Sequence, residues 1–343
     1  MLQIKVTSRF PKEPVVRQTP GRKGIWHDYQ FLVNDPATRE CDYWVVYNAL
    51  NQPEQTFCRA GRSILITSEP PEANTYNPAF LKQFDLIITC HTDLKHPNIR
   101  LQHQGLPWHI GLERPKDGIR GEHNFKCMLD YDSLQTMPVP EKKADLSVVL
   151  AKHTHHPAHR LRLKFVEALK QDFGEQIDVY GGGIRPLVDK LEGIAPYKYH
   201  LVLENSFTAH WWTEKLADAY LGFSYPIFWG CPNIEEYFEP QSMTRIDIEN
   251  SVEAVATIKR VIQEKTYERD FKHLVAARQL VLDKYNYFEV VRKACLSLPA
   301  KQPRSIKLKP EHLFGLWKAR RLLRRIHGKV KRMGILRKTS LRA

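Results

Sequence analysis

Residues 203 to 215 read LENSFTAHWWTEK, and they stand where an apolar run, YHLVL, gives way to the amphipathic pattern TEKLADAYLGF. The stretch sets a carboxylate (Glu204), an amide (Asn205), two indoles, a hydroxyl (Thr213), a second carboxylate (Glu214) and an ammonium group (Lys215) at a strand-to-helix handover. In a parallel α/β domain, ligands bind at the carboxyl end of a strand and the amino end of the following helix. Lys215 in a first helical turn adds to the partial positive charge there, and the two together would stabilise a departing diphosphate. The competing reading is a solvated lysine. Glu214 can accept from two vicinal hydroxyls, such as those of a nucleotide ribose, or it can simply complement the helix dipole. Thr213 reads as the N-cap of the helix.

Other chemistry-bearing residues lie apart in the sequence. Arg160 and Arg162 fall in HRLRLKFVEAL, and either guanidinium could grip a phosphate bidentately or remain a solvated helix charge. Gly181, Gly182 and Gly183 follow the run IDVY, where bare N–H groups could approach a phosphate closely. Arg185 follows them as a nucleotide contact. Glu69 ends the strand-like SILITS in the first half and is the candidate general base, with Glu72 its rival in the same SEPPE spelling. His153, His155, His156 and His159 invite a metal reading. Pro157 interrupts them and no second ligand cluster is obvious, so no metal site is expected.

The elements that must position these residues alternate. The runs IKVTSRF, WHDYQFLV, DYWVVYNAL, SILITS and DLIITC are interleaved with helical or loop pieces, and a second cycle begins at DLSVVLAK. The Pro-containing MPVPEKK segment (137–143) reads as a linker. The expected organisation is α/β, with Rossmann-like units over 1–143 and 144–300, the second ending in a closing helical stretch from Val252 to about Leu298. A basic amphipathic helical tail is expected over 301–343. The chain has 343 residues, 42% apolar and 26% charged, ordinary for a globular protein of two domains. No apolar run is long enough to span a membrane, and MLQIKVTSRF lacks a signal-peptide layout. Six scattered cysteines suit a reduced, cytoplasmic setting.

The net charge of +14 resembles a nucleic-acid signature until it is located. Residues 301–343 carry 15 Lys/Arg against Glu311 alone, while residues 1–300 balance at 37 against 37. The basicity belongs to the tail, where apolar residues at spacings of three and four suit the anionic inner face of a membrane over 313–338. Nonspecific nucleic-acid binding through that tail is the alternative, and no specific nucleic acid is expected.

The run YKYHLVLENSFTAHWWTEKLADAYLGFSYPIFWGCPNIEEYF resembles the signature of the α-1,3-fucosyltransferases, glycosyltransferase family 10, strongly over about 145–245 and weakly in the first half. That resemblance implies a GT-B fold and inverting transfer of L-fucose from GDP-fucose to a hydroxyl of a glycan acceptor. Cell-surface glycan or lipopolysaccharide synthesis is the implied setting. It implies no required cofactor, a divalent cation being at most an activator. By resemblance Glu204 and Asn205 shape the donor site, Arg162 rather than Arg160 meets the diphosphate, and Glu69 stands at the strand end that carries the base. Trp211 replaces an expected tyrosine and keeps only its stacking face, whereas Trp212 reads as core. The alternatives are another nucleotide-sugar donor and a catalytically silent sugar-binding relative.

Overall fold

The computed structural model describes residues 1–9, 14–113, 126–151 and 157–315. The first unit is built on strands β1 (Leu2–Ser8), β2 (Ile25–Trp26), β3 (Tyr29–Val33), β4 (Glu40–Tyr47), β5 (Glu54–Ile66), β6 (Leu86–Thr89) and β7 (Ile99–Leu101), with a one-turn helix α1 (Pro78–Leu81). They form one sheet in the order β2-β3-β1-β4-β5-β6-β7, parallel except for the β2–β3 pair. A short antiparallel pair, β8 (Leu112–Glu113) with β9 (Lys126–Cys127), and helix α2 (Tyr131–Thr136) lead into 137–143, which has neither helix nor strand.

The second unit carries strands β10 (Ala144–Val149), β11 (Ile177–Tyr180), β12 (Tyr197–Leu203), β13 (Tyr225–Trp229) and β14 (Thr244–Arg245). Its sheet is wholly parallel, in the order β11-β10-β12-β13-β14. Helices α3 (Pro157–Phe173) and α4 (Glu214–Leu221) connect strands, and α5 (Ser251–Gln263), α6 (Thr266–Arg269) and α7 (Phe271–Leu282) follow the sheet. Every residue of β13, and every residue of β12 except Lys198, is buried. That is why these strands read as unbroken apolar runs: sheets covered on both faces show no alternation. The strand order reverses between β10 and β12, and in open α/β sheets the crevice at that point, beyond the carboxyl ends, takes the ligand. Two parallel α/β units of this kind are the GT-B architecture.

Two expectations need correction. The closing stretch is helical as expected, but its last helix does not belong to the second unit. Lys265 takes a left-handed conformation (φ 50°) and breaks the stretch. Asn286 then caps helix α8 (Tyr287–Leu296) by accepting from the Phe288 N–H, while its amide donates to the Gln18 carbonyl of the first unit at 2.9 Å. From there the chain is part of the first unit. The Trp26 indole donates to Glu289, and Phe288 and Tyr287 pack on Phe31 and Tyr47.

Nor does a free tail begin at 301. Strand β15 (Arg304–Leu308) pairs antiparallel with the amino-terminal half of β5, where β6 does not reach. Ile306 and Leu308 are buried and their neighbours Ser305 and Lys307 exposed, so a period-two strand pattern lay inside a sequence dominated by its charge. The amphipathic helix expected over 313–338 lies outside the described residues apart from 313–315. Ile306→Asp should lower stability by about 3 kcal/mol in thermal or urea melts, because it buries an unpaired charge. Lys307→Asp, on the exposed face, should stay within about 0.5 kcal/mol.

Candidate active site

The handover after β12 is organised by a carboxylate with no exposure. Glu204 follows β12 directly, and its oxygens accept from the Thr213 N–H (2.7 Å), from the Thr213 hydroxyl (2.9 Å) and from Lys215 Nζ (3.3 Å). Thr213 caps α4 as expected, its hydroxyl accepting from the Lys215 N–H. Gly230, after β13, makes room for this arrangement, since a Cβ there would lie 2.6 Å from Glu204 Cγ. Glu204 therefore positions Thr213 and Lys215.

Lys215 also approaches Glu214 (3.6 Å). The two carboxylates raise its pKa against the opposing effect of burial. Glu214 is held well below the usual carboxylate range; burial opposes this, and Lys215, Lys190 and His109 outweigh it. Lys190 bridges Glu214 (3.3 Å) and the fully buried Asp218 (3.2 Å), while His109 of the first unit reaches Glu214 at 3.5 Å. Asp218 in turn accepts from the backbone N–H groups of His109 and Ile110, and Asp189 accepts from that of Gly111. Residues 109–111 are thus fixed to the second unit by two of its carboxylates.

Arg162 points inward from α3, 6% exposed, and donates to the Leu203 carbonyl at 3.0 Å, at the carboxyl end of β12. Burial lowers its pKa, with Glu204 and Glu214 acting the other way. Arg160, two residues earlier, is exposed. Helical geometry separates the two by roughly 200°, so only one can face the crevice. Across the crevice stands Glu69, at the end of the segment that follows β5. Burial raises its pKa above 4.5, Glu214 raises it further, and Lys215 and Arg9 pull it down. Its rival Glu72 is engaged elsewhere, accepting from the Ser206 hydroxyl (2.7 Å) and the Thr208 hydroxyl (3.4 Å) of the second unit.

The remaining predicted residues divide. Gly181 takes φ 126°, and a Cβ there would sit 1.8 Å from the Leu150 carbonyl oxygen, so glycine is required where β11 and β10 end together. Gly183 also has positive φ (79°), and Gly182 faces nothing closer than 3.9 Å. Asn205 is exposed at the handover. Arg185 is not brought to the cluster: it pairs with Asp178 (2.8 Å) and lies over the Tyr180 ring. Trp211 does not present a stacking face. A left-handed His210 (φ 61°) turns the chain so that both indoles are buried. Trp212 is core, stacked on His103 at 3.6 Å. Of the histidine run, 153, 155 and 156 lie outside the described residues, and no metal-ligand group occurs among the described ones. Sequence reasoning missed His109, Lys190, Asp189 and Asp218. Only Asp218 left a signal, as an acid four residues after Glu214 on an otherwise apolar face.

A search of family models matches residues 140–304 to glycosyltransferase family 10 (fucosyltransferase), C-terminal domain. That match takes in just under half of the chain and is what places it beside the fucosyltransferases. Over 154 residues it is 35% identical to the alpha-(1,3)-fucosyltransferase FucT of Helicobacter pylori, covering 43% of this chain and 30% of that protein. A fucosyltransferase-like protein of Arabidopsis thaliana is 33% identical over 135 residues, covering 38% of this chain and 25% of the relative. The chain therefore spans under a third of either curated relative. Among solved structures, an alpha1,3-fucosyltransferase crystallised with GDP-fucose aligns at TM-score 0.48 and 19% identity, over 82% of this chain and 90% of that one.

Because Lys215 is the only cation bonded to the buried Glu204 among the described residues, Lys215→Met should cost about 3 kcal/mol in urea unfolding at neutral pH. A lysine held only for a ligand would leave stability unchanged or raised. The sign of the pH effect also follows. The raised Lys215 stabilises fully below 10.5 and loses its contribution as pH rises through its folded pKa. The depressed Glu214 stabilises above 4.5 and loses its contribution as pH falls through its own folded pKa.

Proposed function

We propose that this protein is a family 10 inverting glycosyltransferase that moves L-fucose from GDP-fucose to a hydroxyl of a glycan acceptor. The observation that carries the reading is the convergence of Lys215 and Arg162 on the amino end of α4, with a carboxyl of raised pKa, Glu69, across the crevice. Two cations and a helix amino terminus suit a diphosphate leaving group. The Gly182–Gly183 turn supplies close backbone approach on the far side. Glu214, oriented by Lys190 and His109, is suited to accept a ribose diol. Glu69 takes the proton of the acceptor hydroxyl while its oxygen attacks the anomeric carbon. The bond to the β-phosphate oxygen breaks as the new bond forms, and charge builds on GDP where Lys215 and Arg162 stand. These cations supply the countercharge, so no cofactor is required.

The basic segment 313–338, read from its sequence, is proposed to hold the enzyme on the anionic inner face of a membrane, where lipid-linked glycans such as lipopolysaccharide precursors would be acceptors. A second reading, another nucleotide-sugar donor, is separated from the first by the donor test.

Thermal shift and donor hydrolysis with GDP-fucose, GDP-mannose, UDP-galactose and UDP-N-acetylglucosamine should single out GDP-fucose, with the response lost in Lys215→Ala. No response to any nucleotide sugar would remove the transferase reading. For the base, kcat/KM should rise with pH through an inflection above 4.5, the side on which Glu69 becomes ionised. Glu69→Gln should lower kcat by about 10²–10⁴-fold and abolish that limb. Glu72→Gln should keep the limb.

A further inference from the structure

A large cavity lies outside the donor crevice. It is a pocket of about 640 Å³ beyond the carboxyl ends of β13 and β14, walled on the far side by α5. Its lining includes Phe207, Trp229, Arg245, Asp247, Glu249 and Glu253. Phe207 is 56% exposed, a large cost for a phenyl ring, and it rests on Trp229 with ring centres 5.8 Å apart and planes 34° from parallel. Phe207, backed by the buried Trp229, makes a platform over which the pocket opens. Arg245 is held by Glu235 at 2.8 Å, and Asp247, Glu249 and Glu253 line the pocket as carboxylates with further accepting capacity, Asp247 already accepting from the Glu249 N–H and Glu253 from the Asn250 amide.

The platform is joined to the machinery on both sides. Phe207 lies between Ser206 and Thr208, whose hydroxyls hold Glu72 of the first unit, so it stands at the seam between the units. The Trp229 carbonyl accepts from the N–H of Glu204, the residue that holds Lys215. A ligand on these rings is one strand removed from the donor crevice, on the side away from the Gly181–Gly183 turn.

We infer that the Phe207–Trp229 pocket is a saccharide subsite that holds the acceptor glycan beyond the sugar being modified. A pyranose has an apolar C–H face and a rim of hydroxyls. An aromatic platform edged by carboxylates matches both, whereas a nucleotide base would set its π-face against groups of the wrong charge for a diphosphate. This inference rests on the transferase reading and assigns the acceptor side of that reaction to the second unit as well as the first.

The test is saturation-transfer NMR with methyl glycosides of galactose, glucose, N-acetylglucosamine and mannose, run beside thermal shift with GDP. At least one glycoside should receive saturation from wild type. Binding should weaken about tenfold in Phe207→Ala, the size expected for one lost aromatic contact, and return in Phe207→Tyr. GDP should stabilise all three proteins alike. Wild type that binds GDP but no glycoside, or Phe207→Ala that binds glycosides normally, overturns the inference and leaves the transferase reading intact. Equal loss of GDP binding in Phe207→Ala overturns it by making the pocket part of the donor site. Binding of a tetralysine peptide at this pocket in place of glycosides overturns it in favour of a cationic ligand. Failure of every nucleotide sugar with wild type would instead remove the reading on which it rests.

Discussion

Glu204 is a carboxylate withdrawn from water, and that cost fixes much of what surrounds it. An unpaired buried charge is not tolerated, so the chain brings it an N–H, a hydroxyl and an ammonium group from within eleven residues of its own position. Meeting those needs forces Thr213 into the cap position, starts α4 at Glu214 and aims Lys215 back across the strand end. The same carboxylate leaves no room for a side chain at 230. One buried charge thus sets the start of a helix, the direction of a cation and the identity of a glycine on the next strand.

The crevice is close to neutral on its own account. Lys215, Arg162 and Lys190 face Glu204, Glu214 and Asp218, and each cation is oriented by the protein before any ligand arrives. Such preorganisation differs from a bare positive patch. The donors are held in place at a cost met during folding, so little reorganisation accompanies charge development on a leaving group. The acid opposite them has a raised pKa because Glu69 loses water on burial and also feels the negative end of this network through Glu214.

The second unit was legible in the sequence because its strands are buried on both faces and its caps are local. Thr213 reads as a cap from its neighbours alone, and the order of strands and helices from Ala144 to Gln263 follows from apolar runs and their spacing. Residues that act through distant partners were not legible. His109 and Lys190 reach Glu214 from positions 105 and 24 residues away, and nothing local marks either. Trp211 misled because an indole beside a site motif reads as a ligand contact, while the left-handed turn at His210 that buries it is not encoded by any residue type. Strand β15 was hidden by its charge: four of the nine residues from 301 to 309 are Lys or Arg, and the two buried side chains, Ile306 and Leu308, are outnumbered.

The return of the chain after Asn286 has a mechanical meaning. The backbone passes between the units at 137–143 and again near 283–286. Between those crossings the units are also joined by side chains: Asp189 and Asp218 hold residues 109–111, and Glu72 accepts from the hydroxyls of Ser206 and Thr208. The crevice is therefore stitched along its length, by backbone at two places and by carboxylates between them.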